Sequence, residues 1–154
     1  MSNEVTGVEE VQAKLTALAD SLTGAQMERK MHTVGNMLHN SIEESFETES
    51  GPFGEVWKPR EKSKPGQSSK TLRDSGDLAD RWMVNATPNE VVVSNNIAWY
   101  GIVHQWGTEK AGRKKDVVIM PRPFLPIDES GKLEPKLQEG IEGYLMDEIE
   151  KVLL

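Results

Sequence analysis

Between Ala25 and Glu47 the apolar residues Met27, Met31, Val34, Leu38, Ile42 and Phe46 recur at three- and four-residue steps, with polar residues between them. That period places them on one side of a helix of roughly six turns, so the spacing predicts a long amphipathic helix over 25–47. Ser50-Gly51-Pro52 ends it, because glycine and proline after a periodic run do not continue a helix. A one-faced helix is stable only against a partner, and the rest of the chain has to supply one.

Two other stretches share the helical period. Val8, Val11, Leu15 and Leu18 form a shorter stripe before Gly24, read as an N-terminal helical arm over residues 1–24. Leu133, Leu137, Ile141, Tyr144, Leu145, Ile149 and Val152 predict a C-terminal helix from Ser130 to Leu154, with Pro135 tolerated only near its start. Between the helices, residues 48–70 are rich in Gly, Pro, Ser and Lys and read as a long loop. Loops of that length are usually functional or mobile. Phe53 and Trp57 are expected to anchor its first half, and residues 60–70 to stay flexible in the free protein.

The β signals are shorter. Trp82 and Val84 alternate with polar neighbours, "ATPNE" supplies turn residues, and Val91-Val92-Val93 is β-branched, which predicts a hairpin. Asp77 is placed to cap a short helical turn before it. Tyr100, Val103 and Trp106 at three-residue steps predict a short helix within 97–106. Val117-Val118-Ile119 reads as a strand, followed by "PRPFLP", whose prolines impose an extended exit. The element order predicts an α+β fold: a small antiparallel β-sheet packed with a long N-terminal helix and a C-terminal helix. A single such domain over 25–154 follows the arm.

Composition narrows the function. Hydrophobic residues make up 36% of the 154, and mean hydropathy is −0.54, lean enough that part of the chain is expected to fold only against neighbours. No run approaches the roughly 18 apolar residues of a membrane span. The N-terminus MSNEVTGVEEV lacks the basic and apolar regions of a secretory signal, and the absence of cysteine excludes thiolate and disulfide chemistry. These features fit a cytoplasmic origin. Net charge is −7, with nine acids and three bases in residues 1–50, nine and twelve in 51–128, and seven and three in 129–154. A duplex-DNA binder usually has the opposite overall sign. Acidic ends around a basic middle suit head-to-tail association of copies instead.

Residue patterns for catalysis are weak. His32 and His39 lie seven positions apart, too far for a helical i,i+4 metal pair, and no metal or cofactor site is implied. His104 has no serine in a Gly-x-Ser-x-Gly elbow to activate. Asp74 and Asp77 beside Ser75-Gly76 read as turn and cap residues. Gly51-x-x-Gly54 lacks the lysine and helix of a phosphate loop. Trp99, Tyr100 and Trp106 are expected to pack as core or subunit-interface anchors, with His104 and Gln105 satisfying nearby backbone groups and Gly107 making a turn. Two basic runs, Lys58, Arg60, Lys62, Lys64, Lys70 and Arg73, then Lys110, Arg113, Lys114 and Lys115, are candidate docking loops. A rival reading uses loops 58–73 and 110–115 to bind nucleic acid as an accessory protein, although no aromatic is interleaved to stack bases.

Four short motifs occur in order: Gly54-x-x-Trp57; Leu72-x-x-Ser75-Gly76-x-Leu78; Tyr100-x-x-x-His104-Gln105-x-Gly107; and Pro121-Arg122-Pro123-Phe124-Leu125. Together they resemble the phage virion morphogenesis family, the tail completion proteins of Mu-like and related contractile-tailed bacteriophages. More distantly they are similar to head–tail joining and tail-component proteins. Gly101 and Trp106 depart from the small alanine and the phenylalanine common there. The resemblance implies a virion component with no catalytic residues and no small-molecule substrate. It would form a homo-oligomeric ring of six at the neck or head-proximal tail end, assembled in the host cytoplasm. Its partners would be neighbouring neck, connector, tail-tube or sheath proteins, with DNA sliding through the lumen and no membrane involved. Trp99, Trp106, Arg122 and the two basic runs are then the interface candidates.

Overall fold

The protein is described by a computed structural model covering residues 7–61, 65–66 and 69–154. Helix α1 spans Val8–Ser21, and α2 runs from Gly24 to Thr48. The predicted stripe is the packed side of α2, with Val34, Ile42 and Phe46 buried. Its closest approach to the sheet is at Gly35, where a β-carbon would strike the Val84 side chain and lie 2.7 Å from Val91 Cγ2. Strands β1 (Met83–Ala86) and β2 (Val91–Ser94) form the expected antiparallel hairpin, with Val84 opposite Val93 and Ala86 opposite Val91. Thr87 closes its turn: its hydroxyl accepts from Asn89 N and Glu90 N, and its own amide donates to Glu90 O at 2.8 Å.

Helix α2 ends on Glu49, which adopts a left-handed conformation (φ 53°). Glu49 O accepts from Trp57 N at 2.9 Å, and Ser50 bridges to Val56. This tight return sets the Trp57 ring edge-on to Phe46, with centroids 5.4 Å apart. Phe124 reaches the same ring from the other end of the chain at 5.2 Å. Ile42, Leu78, Ala79 and Ala98 complete the core, and Leu72, Trp82, Val93, Tyr100 and Leu125 pack around it. Helices α3 (Asp77–Asp80) and α4 (Gly101–Trp106) bracket this cluster. Helix α5 (Pro135–Leu153) lies against α1 and α2 without burying any residue fully.

The α+β class stands, and several details differ from expectation. Among the described residues there are two separate two-stranded sheets, because Thr108–Ala111 forms a strand, β3, paired with β4 (Val117–Ile119). The second basic run is therefore the end of a hairpin and not a plain loop. Periodicity missed β3 because "TEKA" has almost no apolar content. Helix α5 begins at Pro135 and not near Ser130; the Glu134 carboxylate accepts from Lys136 N and Leu137 N, and proline fits the first turn. Asp77 is the first residue of α3 and not its cap; its amide donates to the Ser75 hydroxyl. Phe53 does not anchor the long loop: it is 41% exposed, while Trp57 is buried. The expected flexibility of 60–70 falls partly on residues 62–64 and 67–68, outside the described ones. At the far end of that loop, Lys70 pairs with Glu47 at 3.0 Å and Thr71 N donates to the Glu49 carboxylate.

Candidate functional site

Helix α4 turns two different faces to its surroundings. On the inner face, Gly101 meets Leu78 and Phe124; a β-carbon there would lie 2.9 Å from Leu78 Cδ1, so a larger residue requires the buried Leu78 side chain to shift. One turn later Gln105, 1% exposed, points into the protein. Its Oε1 accepts from Phe124 N at 2.8 Å and Leu125 N at 2.9 Å. These two donors belong to the proline-rich exit, where neither helix nor strand serves them, and leaving such groups unpaired is costly. Gln105 Nε2 is buried without an acceptor among the described residues.

The exit segment is held from three other directions. Trp57 Nε1 donates to Pro123 O at 2.8 Å, and Arg122 N donates to His104 O at 2.7 Å. Arg122 Nε donates to Lys58 O at 2.9 Å. Gly107 (φ 73°) makes the turn out of α4 so tightly that a β-carbon would sit 2.7 Å from Ile119 O. Trp57, Leu78, Tyr100, Gln105, Gly107, Arg122, Pro123 and Phe124, scattered over three of the sequence motifs and the exit, thus meet in one knot. Gly54 (φ 94°) and Gly76 (φ 85°) lie at turns outside it, and Leu72 (φ 60°) borders the core in a left-handed conformation.

The outer face is apolar. Ile102 and Trp106 are exposed one turn apart, beside Ile97 and a Trp99 that is 83% exposed. Of the two expectations for Trp99, core or subunit-interface anchor, its exposure rules out the core; its ring meets the edge of Tyr100, at 6.0 Å between centroids. The three-residue step through Tyr100, Val103 and Trp106 does not mark the packed side either, since Gly101 and Gln105, four apart, are the buried pair. Between α4 and the end of β2 lies a groove of about 390 Å³, walled by Trp82, Val93, Trp99, Ile102, Trp106 and Leu125. A small-molecule site adds convergent polar groups to such walls. Here the Asn95 amide is already spent, donating to Asp77 O and accepting from Ile97 N and Ala98 N.

A second cleft gathers Arg60, Asp74, Ser75, Tyr100, His104 and Arg122. Burial, and then the Arg122 charge, hold the His104 pKa below the ordinary histidine value, so the ring is neutral at pH 7. Its Nδ1 is buried and lacks a partner among the described residues, so the ring does not satisfy backbone as the sequence suggested. The Ser75 hydroxyl engages Asp77 and not His104. A nucleophile, base and orienting acid are thus not joined here. No group of three or more metal-ligating side chains converges among the described residues.

The two basic runs have different fates. In the first, Arg60 lies 4.0 Å from Asp74, and Arg73 bridges Glu47 at 2.7 Å and Asp80 at 3.2 Å. Lys70 and Arg73 together hold the Glu47 carboxyl below its usual range. Lys58 is exposed, and Lys62 and Lys64 lie outside the described residues. In the second run, Lys110, Arg113, Lys114 and Lys115 are exposed on the β3–β4 hairpin without an ion pair among the described residues. Gly35 and the Glu49 return escaped the sequence reading, whereas Gln105 serves backbone groups as expected, although the two amides it serves lie nearly twenty residues away. An isolated glycine on a helix stripe was the one available signal, pointing to a close approach.

Against known proteins, the chain matches the family described as the phage virion morphogenesis family over residues 6–149. No curated protein and no solved structure matches it.

Proposed function

Starting from the chain's membership of the phage virion morphogenesis family, we propose that it is a structural component that completes the tail or joins tail to head. It works as a ring of copies at the neck or head-proximal tail end, with no bond made or broken. Six copies is the number the sequence resemblance implies. The observation that carries the reading is the apolar groove on the outside of α4, where Trp99 stands almost fully exposed. Exposed aromatic clusters of this kind are what protein interfaces bury. A net charge of −7 suits a subunit beside a lumen through which DNA slides without being gripped. Partners are further copies and the neighbouring neck, connector, tail-tube or sheath proteins.

Pairing of Arg60, Lys70 and Arg73 within the chain takes three bases of the first run out of the footprint that a nucleic-acid-binding reading requires. The test is a lysate of phage carrying an early stop codon in this gene. Filled heads and unjoined tails should accumulate, and purified protein should restore joined, infectious particles. Joined particles at normal yield without the protein would overturn the proposal.

A further inference from the structure

Strands β3 and β4 pack on each other and make at most marginal contact with any other element. An isolated two-stranded hairpin is only marginally stable in water. This one also leaves Val117, Val118 and Met120 largely exposed, Val118 by 61%. Its charge is unlike that of the rest: residues 108–119 hold four bases and two acids, so of the net −7 the hairpin contributes +2 and the remainder −9. The hairpin leaves α4 through Gly107, whose turn is packed against Ile119 O and Pro121, so its direction is set. One short helix thus has an uncovered apolar groove on its outer face and an uncovered apolar, basic arm at its C-terminal end.

A head-to-tail contact needs two unlike, complementary surfaces on each copy. We infer that the β3–β4 hairpin of one copy lies in the α4 groove of a second copy, with Val118 and Met120, which share one face of the strand, against Trp99, Ile102 and Trp106. The basic end of the arm then lies over a body of opposite charge, which favours this encounter over other partners. Valine and methionine side chains offer nothing to a phosphate backbone, so a second copy fits the arm better than DNA does. Sheet edges matter as well: β1–β2 has two strands only, so β2, which borders the groove, keeps an outer edge beside which the arm settles. The inference rests on the ring reading and names its junction.

Two variants, Trp99→Asp and Val118→Asp, each break one half of the junction at an exposed position. Circular dichroism and thermal melts should show both folded. In light scattering each alone should be monomeric, its self-association weakened at least tenfold. Mixed, they should form a 1:1 complex, because one retains an intact arm and the other an intact groove. The chain lacks cysteine, so singly substituted Val118→Cys and Ile102→Cys copies, mixed and oxidised, should cross-link as heterodimers. If the native chain self-associates but either variant does so equally, or the mixture stays monomeric, the junction is wrong while the ring survives. A native chain that is monomeric at every concentration and gives no cross-link removes both. Loss of DNA retention in Lys114→Glu/Lys115→Glu, with cross-linking and self-association absent throughout, would assign the arm to nucleic acid.

Discussion

The inner and outer faces of α4 invert the usual rule. Buried on the inner face are a glycine and a glutamine; exposed on the outer face are an isoleucine and a tryptophan. Inside, residue size and hydrogen bonding decide: Leu78 leaves no room for a β-carbon at Gly101, and two stranded backbone amides need the Gln105 carbonyl. Outside, apolar surface is left in water, a cost that a monomer has no reason to bear. One face holds the monomer together, and the other is the contact face of the proposed ring. The difference shows that burial in a single chain is a poor guide to where a large aromatic does its work.

That contrast can be broken by experiment, beginning with the inner face. Phe124→Ala removes the ring that joins Trp82 and Phe46 and should cost about 3–5 kcal/mol in urea denaturation. Gln105→Ala strands the amides of Phe124 and Leu125 and should cost about 2–4 kcal/mol. A loss under about 1 kcal/mol would mean the exit segment finds other acceptors. Gly101→Ala should cost about 1–3 kcal/mol, because Leu78 is itself buried and has little room to yield.

Proton linkage tests the same face more gently. The folded-state pKa of His104 is lowered, so the unfolded chain takes up a proton first, near its ordinary value of about 6.5. Stability is full above that pH and declines as pH falls below it towards the lowered folded value. His104→Asn should flatten this slope in melts recorded across that range; an unchanged slope would remove His104 as its source. On the outer face, Trp99→Ala should cost less than about 1 kcal/mol in the dilute monomer while preventing self-association. A monomer loss near that of Phe124→Ala would make the two faces equivalent and end the contrast.

Much of the scaffold could be read directly. The stripe from Met27 to Phe46 appears as α2, the alternation at Val84 and the β-branched run from Val91 as the β1–β2 hairpin, and the stripe from Leu137 to Val152 as α5. These signals are local: periodicity and backbone restriction act over a few neighbouring residues. Strand β3 was not legible, since "TEKA" lacks apolar content and pairs only because β4 lies opposite.

The site divides in the same way. Sequence alone marked Trp57, Gln105, Gly107, Arg122 and Phe124 as a set, and marked residues 97–106 as dense in aromatics around a short helix. It could not tell Trp57, buried against Phe46, from Trp99, standing in solvent, because a tryptophan's neighbours in the chain do not record which side of the fold it faces. That assignment depends on which distant segments arrive. The Glu49 return brings Trp57 onto α2, and the proline-rich exit takes the inner side of α4, leaving Ile102 and Trp106 outward. Local chemistry determined most of the elements; long-range packing decided which of the marked residues are spent inside and which stay exposed.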